Sequence, residues 1–157
     1  MKIIFLDIDG VLNCETSESR CDDWLGIDNS RVKLLRQIVE ATEARIVLCS
    51  SWKHGYSRNP DMCKYHGKYM KNKLQKEGLL IFAVTVDPHN NDLLRGHGIQ
   101  DWLSNHPEVD KWIVIDDEVF DDYHECDIIP HLVKTDFYTE GLNEKLAQEA
   151  INMLNEV

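Results

Sequence analysis

Two acids placed two residues apart, Asp7 and Asp9 in the run MKIIFLDIDGVLN, end the apolar stretch Ile3, Ile4, Phe5 and Leu6. In an extended chain alternate side chains share a face, so both carboxylates point one way while Ile8 turns into protein. Gly10 then lets the backbone turn away without a steric cost. Carboxylates this close repel, and the pair stays ionised only beside a cation or hydrogen-bond donors. Oxygen ligands with no Cys or His interleaved favour Mg²⁺ over zinc. Two further sets follow apolar runs: Ser50, Ser51 and Trp52 after RIVLC, and Asp116, Asp117 and Glu118 after WIVI. Each set alone also reads as a strand-end cap or a turn. Three sets of compatible chemistry at three strand ends point to one shared site.

For that to hold, the elements must bring the ends together. Near-continuous apolar runs are the signature of parallel strands buried on both faces. Strands are expected over residues 3–6, 45–49, 79–86 and 112–115, with an edge strand over 131–134 preceded by Pro130. Between them, Asp28, Asn29 or Ser30 caps a helix carrying Leu34, Leu35, Ile38 and Val39. A second helix is expected from about residue 62 to 75, and a third carries Ile99, Trp102 and Leu103 and closes before Pro107. Asn143 caps a last helix that buries Leu146, Ala150, Met153 and Leu154. The alternation predicts an α/β fold: a doubly wound, Rossmann-like parallel sheet of about five strands with right-handed crossovers. Carboxyl ends of such strands lie along one edge, where open α/β sheets bind ligands. Residues 14–26 are polar and irregular, with Trp24 and Leu25 as their only large apolar residues, and are expected to form a flap over the first strand's end.

The 157 residues suit one domain spanning 1–157. Seventeen Lys and Arg against 28 Asp and Glu give a net charge of −11, which opposes nonspecific binding to nucleic acid or anionic membrane. Five cysteines, Cys14, Cys21, Cys49, Cys63 and Cys126, lack paired C-x-x-C spacing, so a reducing cytoplasm is expected rather than a disulfide framework. The first apolar segment is short and interrupted by acids, unlike a signal peptide, and no stretch approaches the ~18 residues that span a bilayer.

Taken together, DIDGVLN, IVLCSS and WIVIDDE, in this order and in strand contexts, resemble the first, second and fourth motifs of the haloacid dehalogenase (HAD) superfamily. Arg95, just before the helix carrying Ile99, Trp102 and Leu103, takes the place of the third-motif cation. The resemblance covers essentially the whole chain. It implies that Asp7 attacks phosphorus to form an aspartyl-phosphate, and that Asp9 protonates the leaving oxygen and later takes a proton from water. It also implies Mg²⁺ held by Asp7, the backbone carbonyl of Asp9 and Asp116, with Asp117 in or next to the coordination shell. Arg95 adds a second cation and Ser50 a hydrogen-bond donor. Ser50 and Ser51 face opposite ways in an extended chain, so only one of them can serve, and the resemblance favours Ser50; Ser51, Gly10 and Trp52 stand beside it as candidate substrate contacts. Dehalogenase members lack the second acid, so the reading is a Mg²⁺-dependent phosphatase. The alternative is a noncatalytic phosphate-binding or phospho-accepting module.

A carboxylate about 4 Å from a phosphate dianion meets roughly 8 kcal/mol of repulsion at an effective dielectric of 20, which the cations must offset. Neither interval between motifs holds a full cap domain, so the site is open and suits a nucleic-acid end, a protein or a small phosphorylated molecule closed over by an oligomer partner. The runs RGHGIQDWLSNHPEVDKWIVIDDE and HLVKTDFYTEGL resemble cap-less phosphatase domains of RNA-repair and polynucleotide end-healing proteins. Lys64, Lys68, Lys71, Lys73 and Lys76 offer a local basic face, with Tyr65 or Tyr69 to stack on a base, or else simply a solvated helix surface. His124 with Cys126, and Cys63 with His66, are isolated pairs without the four-ligand spacing of a structural zinc. Thr135 lies near the end of the fifth strand.

Overall fold

Alternate residues of the first strand feed two different cores. The computed structural model describes residues 1–156. Strand β1 (Lys2–Leu6) is central, and from it Ile4 and Leu6 join one buried cluster while Ile3 and Phe5 join another. Its neighbours are β4 (Arg45–Leu48) and β6 (Lys111–Asp116), with β5 (Ile81–Val84) and β7 (Leu132–Lys134) at the edges. The order is β5-β4-β1-β6-β7, and every pairing is parallel. Helices α1 (Asn29–Thr42), α2 (Tyr65–Gln75) and α4 (Glu144–Asn155) cover the Ile4–Leu6 face through Leu35, Ile38, Met70, Leu74, Ala150 and Leu154. Helix α3 (Arg95–Ser104) and Tyr123 and Ile128 cover the other face. The chain moves outward from β1 through β4 to β5, then crosses back to β6. That reversal puts a switch-point crevice at the carboxyl ends of β1 and β6, the usual ligand position in such sheets.

The fold class and the five strands agree with expectation, with local differences that have physical causes. The third strand is shorter than residues 79–86: Leu80 and Val86 face solvent, and only Ile81–Val84 pair, with Thr85 N–H still donating to the Leu48 carbonyl at 3.0 Å. The second helix begins at Tyr65 rather than near residue 62. Asn59 caps a separate 3₁₀ turn, Pro60–Met62, and Lys64 is extended before α2 starts. The expected flap contains a small antiparallel hairpin of β2 (Arg20–Cys21) and β3 (Trp24–Leu25). Among the described residues no helix is long and apolar enough to cross a membrane.

Asn143 does what its residue type predicts: its side chain accepts the Leu146 N–H at 2.9 Å and seats α4 against α1. Replacing it with Ala leaves that donor unpaired, and about 1 kcal/mol of stability should be lost. In thermal denaturation Asn143→Ala is expected to melt roughly 2–4 °C below the parent, and Asn143→Asp close to it.

Candidate active site

The first acid is held inside the sheet and the second is not. Asp7 is still in register, its N–H donating to the Ile115 carbonyl at 3.0 Å, and its side chain is buried. Ile8 is fully buried, so the alternation carries Asp9 back to the same side as Asp7. Gly10 then adopts φ +75°, and a Cβ there would lie 2.3 Å from Asp117 Cγ, so glycine alone fits between the two motifs. Asn13 ties this loop together. It accepts the Gly10 N–H at 2.8 Å and donates to Asp9 Oδ1 at 2.9 Å and to the Gly26 carbonyl at 2.8 Å, which anchors the flap. The Trp52 indole N–H donates to the other Asp9 oxygen at 3.0 Å. Two donors from different elements therefore fix the orientation of the second acid. Thr135 Oγ1 donates to the Gly10 carbonyl at 2.6 Å, closing the loop from the β7 side.

Asp7, Asp116 and Asp117 offer carboxylate oxygens that all lie within 4.8 Å of one another. One cation is built in beside them. Arg95, the first residue of α3, donates to Asp116 Oδ2 at 2.8 Å and stands 3.2 Å from Asp7 Oδ1, with its guanidinium 4.3 Å from the Phe120 ring centre. Asp116 is completely buried and also accepts from the Tyr123 hydroxyl at 2.7 Å and the Glu118 N–H at 3.0 Å. Burial first, and the Asp116 charge second, push the Asp7 carboxyl well above the usual carboxylate range, against the pull of Arg95. Burial and the same neighbour push Asp117 up to about 6. Three carboxylates against one guanidinium leave the inner site with excess negative charge, and no Cys or His enters the oxygen cluster. That donor set fits a hard divalent cation such as Mg²⁺.

These acids open into a cleft of about 500 Å³ whose walls also include Asp9, Ser51, Lys134 and Tyr138. Of the residues expected at the site, the structure brings Asp7, Asp9, Arg95, Asp116 and Asp117 onto this cleft, with Gly10 beneath it. The serines are placed differently from expectation. Ser50 is buried, and its Oγ accepts the Trp52 N–H at 3.3 Å as the cap of a 3₁₀ turn, Ser51–Gly55, while Ser51 lines the cleft. Extended alternation stops at Ser50, so a rule for strands does not apply to its successor. None of Lys64, Lys68, Lys71, Lys73 or Lys76 lines the cleft, and Lys73 instead donates to Asn29 Oδ1 at 3.0 Å. Tyr69 is spoken for, its hydroxyl accepting the Ile27 N–H at 3.0 Å.

Tyr123 and Lys134 carry no motif and reach the site from a 3₁₀ turn and the end of β7. Asn13, the last residue of the DIDGVLN run, reaches it from a loop, and its type and position two residues after the Gly10–Val11 turn could have marked its role. Buried Lys53 pairs with Asp87 at 2.6 Å and donates to Thr85 Oγ1 at 3.2 Å, linking the carboxyl ends of β4 and β5 behind Ser50. A second cluster, His97, Asp122 and Cys126, lies at the start of α3; there Asp122 Oδ2 accepts the His97 N–H at 2.9 Å and acts as a helix cap.

The Asp117 shift has a measurable consequence in protein freed of metal by chelation. Its folded-state value of about 6 exceeds the ordinary 3.8, so the group's stabilising contribution is complete below the ordinary value and is lost as pH rises through 6. Asp117→Asn should therefore melt above the parent at pH 7.5 in EDTA, by roughly 2–6 °C, with the gap closing towards pH 4. A variant less stable than the parent at pH 7.5 would contradict the repulsion.

Comparison with known families agrees with this geometry. No curated protein and no solved structure matches the chain at a significant level. The sequence model of one family, described as the HAD domain in Swiss Army Knife RNA repair proteins, matches residues 3–147, a span that contains every residue of the cleft. The chain belongs to that family, and through it to the HAD hydrolase superfamily.

Proposed function

We propose that this domain is a Mg²⁺-dependent phosphomonoesterase that works through Asp7 and acts on the terminal phosphate of a nucleic-acid end. The observation that carries the reading is the convergence of Asp7, Asp116 and Asp117 around a site with one guanidinium, with Asp9 on the same cleft wall. Family membership supports the nucleic-acid end, because the matching family is one of RNA repair proteins.

In the proposed reaction an Asp7 oxygen attacks phosphorus and the ester P–O bond breaks. Asp9 gives its proton to the leaving oxygen. Water then attacks the aspartyl-phosphate, Asp9 takes the proton back, and cleavage of the bond to Asp7 releases phosphate and restores the carboxylate. Asn13 and Trp52 hold Asp9 in one orientation for both transfers. Arg95, paired with Asp7 and Asp116, supplies fixed positive charge beside the nucleophile. Ser51 lines the cleft, which supports it as the donor to a phosphate oxygen in this reading. HAD members generally use Mg²⁺; Asp7, Asp116, Asp117 and the Asp9 carbonyl would hold the ion, which supplies Lewis-acid charge neutralisation of the transferring group. A noncatalytic phosphate-binding module would need the acids but not a second carboxylate clamped by two donors, and the clamp on Asp9 favours the enzyme.

Hydrolysis of an activated aryl phosphate with and without Mg²⁺ tests the proposal. Turnover is expected only with the metal, and Asp7→Asn should abolish it in a folded protein. Asp9→Asn should lower the rate on an alkyl phosphate by about 10²–10⁴. No metal-dependent turnover from folded parent protein would falsify the enzyme reading, and equal rates for the Asp9 variant and the parent would remove the acid–base role.

A further inference from the structure

Beside the acidic cleft lies a second cavity of about 480 Å³, within the roughly 300–1,000 Å³ of small-ligand sites. Its walls are mainly apolar: Trp24, Leu25 and Cys21 from the flap hairpin, Trp52 and His66 from the α2 side, and Phe137 from beyond β7. Asp9, Ser51 and Phe137 line both cavities, so the two are continuous at the general-acid position. Trp24 is 77% exposed and Tyr138, on the cleft wall, is 75% exposed. Trp24 thus leaves most of its ring open at the apolar cavity, while Tyr138, in edge-to-face contact with Phe137 at 5.2 Å, does so at the adjoining cleft.

We propose that this apolar cavity seats the nucleobase of the nucleotide whose phosphate enters the acidic cleft, with Trp24 as the stacking face. The inference rests on the phosphatase reading and adds the part of the substrate that gives it affinity. A base suits the walls because every base has a π-face that stacks on aromatic side chains, while Ser51 and His66 offer polar contacts to its edge. The charge distribution makes such a contact necessary. The chain carries −11 overall, the lysines of residues 64–76 lie off the cleft, and its walls contain only Arg95 and Lys134 as Lys or Arg cations, the first already paired with two acids. A groove that tracks a phosphate backbone needs rows of cations. Binding here must come from the terminal nucleotide itself. The flap is held for the purpose, since Asn13 joins the Gly26 carbonyl to Asp9, and the Tyr69 hydroxyl receives the Ile27 N–H.

The test compares kcat/KM for a nucleoside monophosphate, for ribose phosphate lacking the base, and for a short RNA ending in the same nucleotide. The base-bearing substrates should exceed ribose phosphate by about 10–100-fold. Trp24→Ala should bring that ratio to within about threefold of one, and Trp24→Phe should restore most of it. Similar values for mononucleotide and RNA fit a site that reads only the last nucleotide; an RNA advantage above tenfold that disappears in high salt would instead assign binding to the backbone and overturn the proposal. Equal rates with and without the base in the parent, or equal losses on all substrates in Trp24→Ala, would also overturn it. If folded protein with Mg²⁺ hydrolyses none of them, the phosphatase reading fails separately. Calorimetric titration with the nucleoside monophosphate then decides the pocket: binding weakened at least tenfold by Trp24→Ala sustains it, and affinity equal to that for ribose phosphate removes it.

Discussion

Crowding of carboxylates at one sheet edge is the constraint on which the remainder of this structure depends. Asp7, Asp116 and Asp117 are brought within reach of a common centre by parallel pairing of β1 with β6, and the register of that pairing leaves them no room to separate. At an effective dielectric of 20, each pair at about 4 Å costs roughly 4 kcal/mol of repulsion. Much of the surrounding chain is placed to offset it. Arg95 spans two of the acids, Tyr123 and the Glu118 N–H satisfy Asp116, and Lys134 donates to the Asp117 carbonyl at 2.7 Å. What stays uncompensated is net negative charge, on a donor set that fits a divalent cation.

This arrangement also separates two carboxylates by task. Asp7 is desolvated and pressed against other acids, and in the proposed reaction its carboxylate charge is lost when it forms the acyl phosphate. Asp9 stands outside the cluster, its oxygens held by Asn13 and Trp52, and lines both the acidic cleft and the apolar cavity. Because Asn13 also anchors the flap at Gly26, the wall of that cavity and the orientation of the second acid are mechanically one unit. A rearrangement of the flap would therefore change the acid's position as well as the shape of that cavity.

The frame of the site was legible from local patterns. Apolar runs ending in Asp7, in Ser50 and in Asp116 announced parallel strands with loaded ends, and Asn143 announced its helix. The parts that were not legible depend on where extended or helical geometry stops. Alternation set Ser50 and Ser51 on opposite faces and the resemblance favoured Ser50, but the backbone enters a 3₁₀ turn at Ser51, which lines the cleft. The lysine-rich stretch looked basic in sequence, yet α2 spends its inner face on Gly67, Met70 and Leu74 and leaves its lysines away from the cleft. Phe137 and Tyr138 sit in an irregular segment and Trp24 in a two-residue strand too short to show periodicity, and only the tertiary fold brings them to the two adjoining cavities.

The central claim is that the acidic cluster exists to hold one divalent ion. Titration of the metal-free protein with Mn²⁺, followed by the loss of the free-ion electron paramagnetic resonance signal, measures this directly. The account predicts one saturable site per chain that Mg²⁺ displaces competitively and that the folded double variant Asp7→Asn, Asp117→Asn lacks. Absence of saturable binding in the parent, or binding that survives the double substitution unchanged, would contradict it.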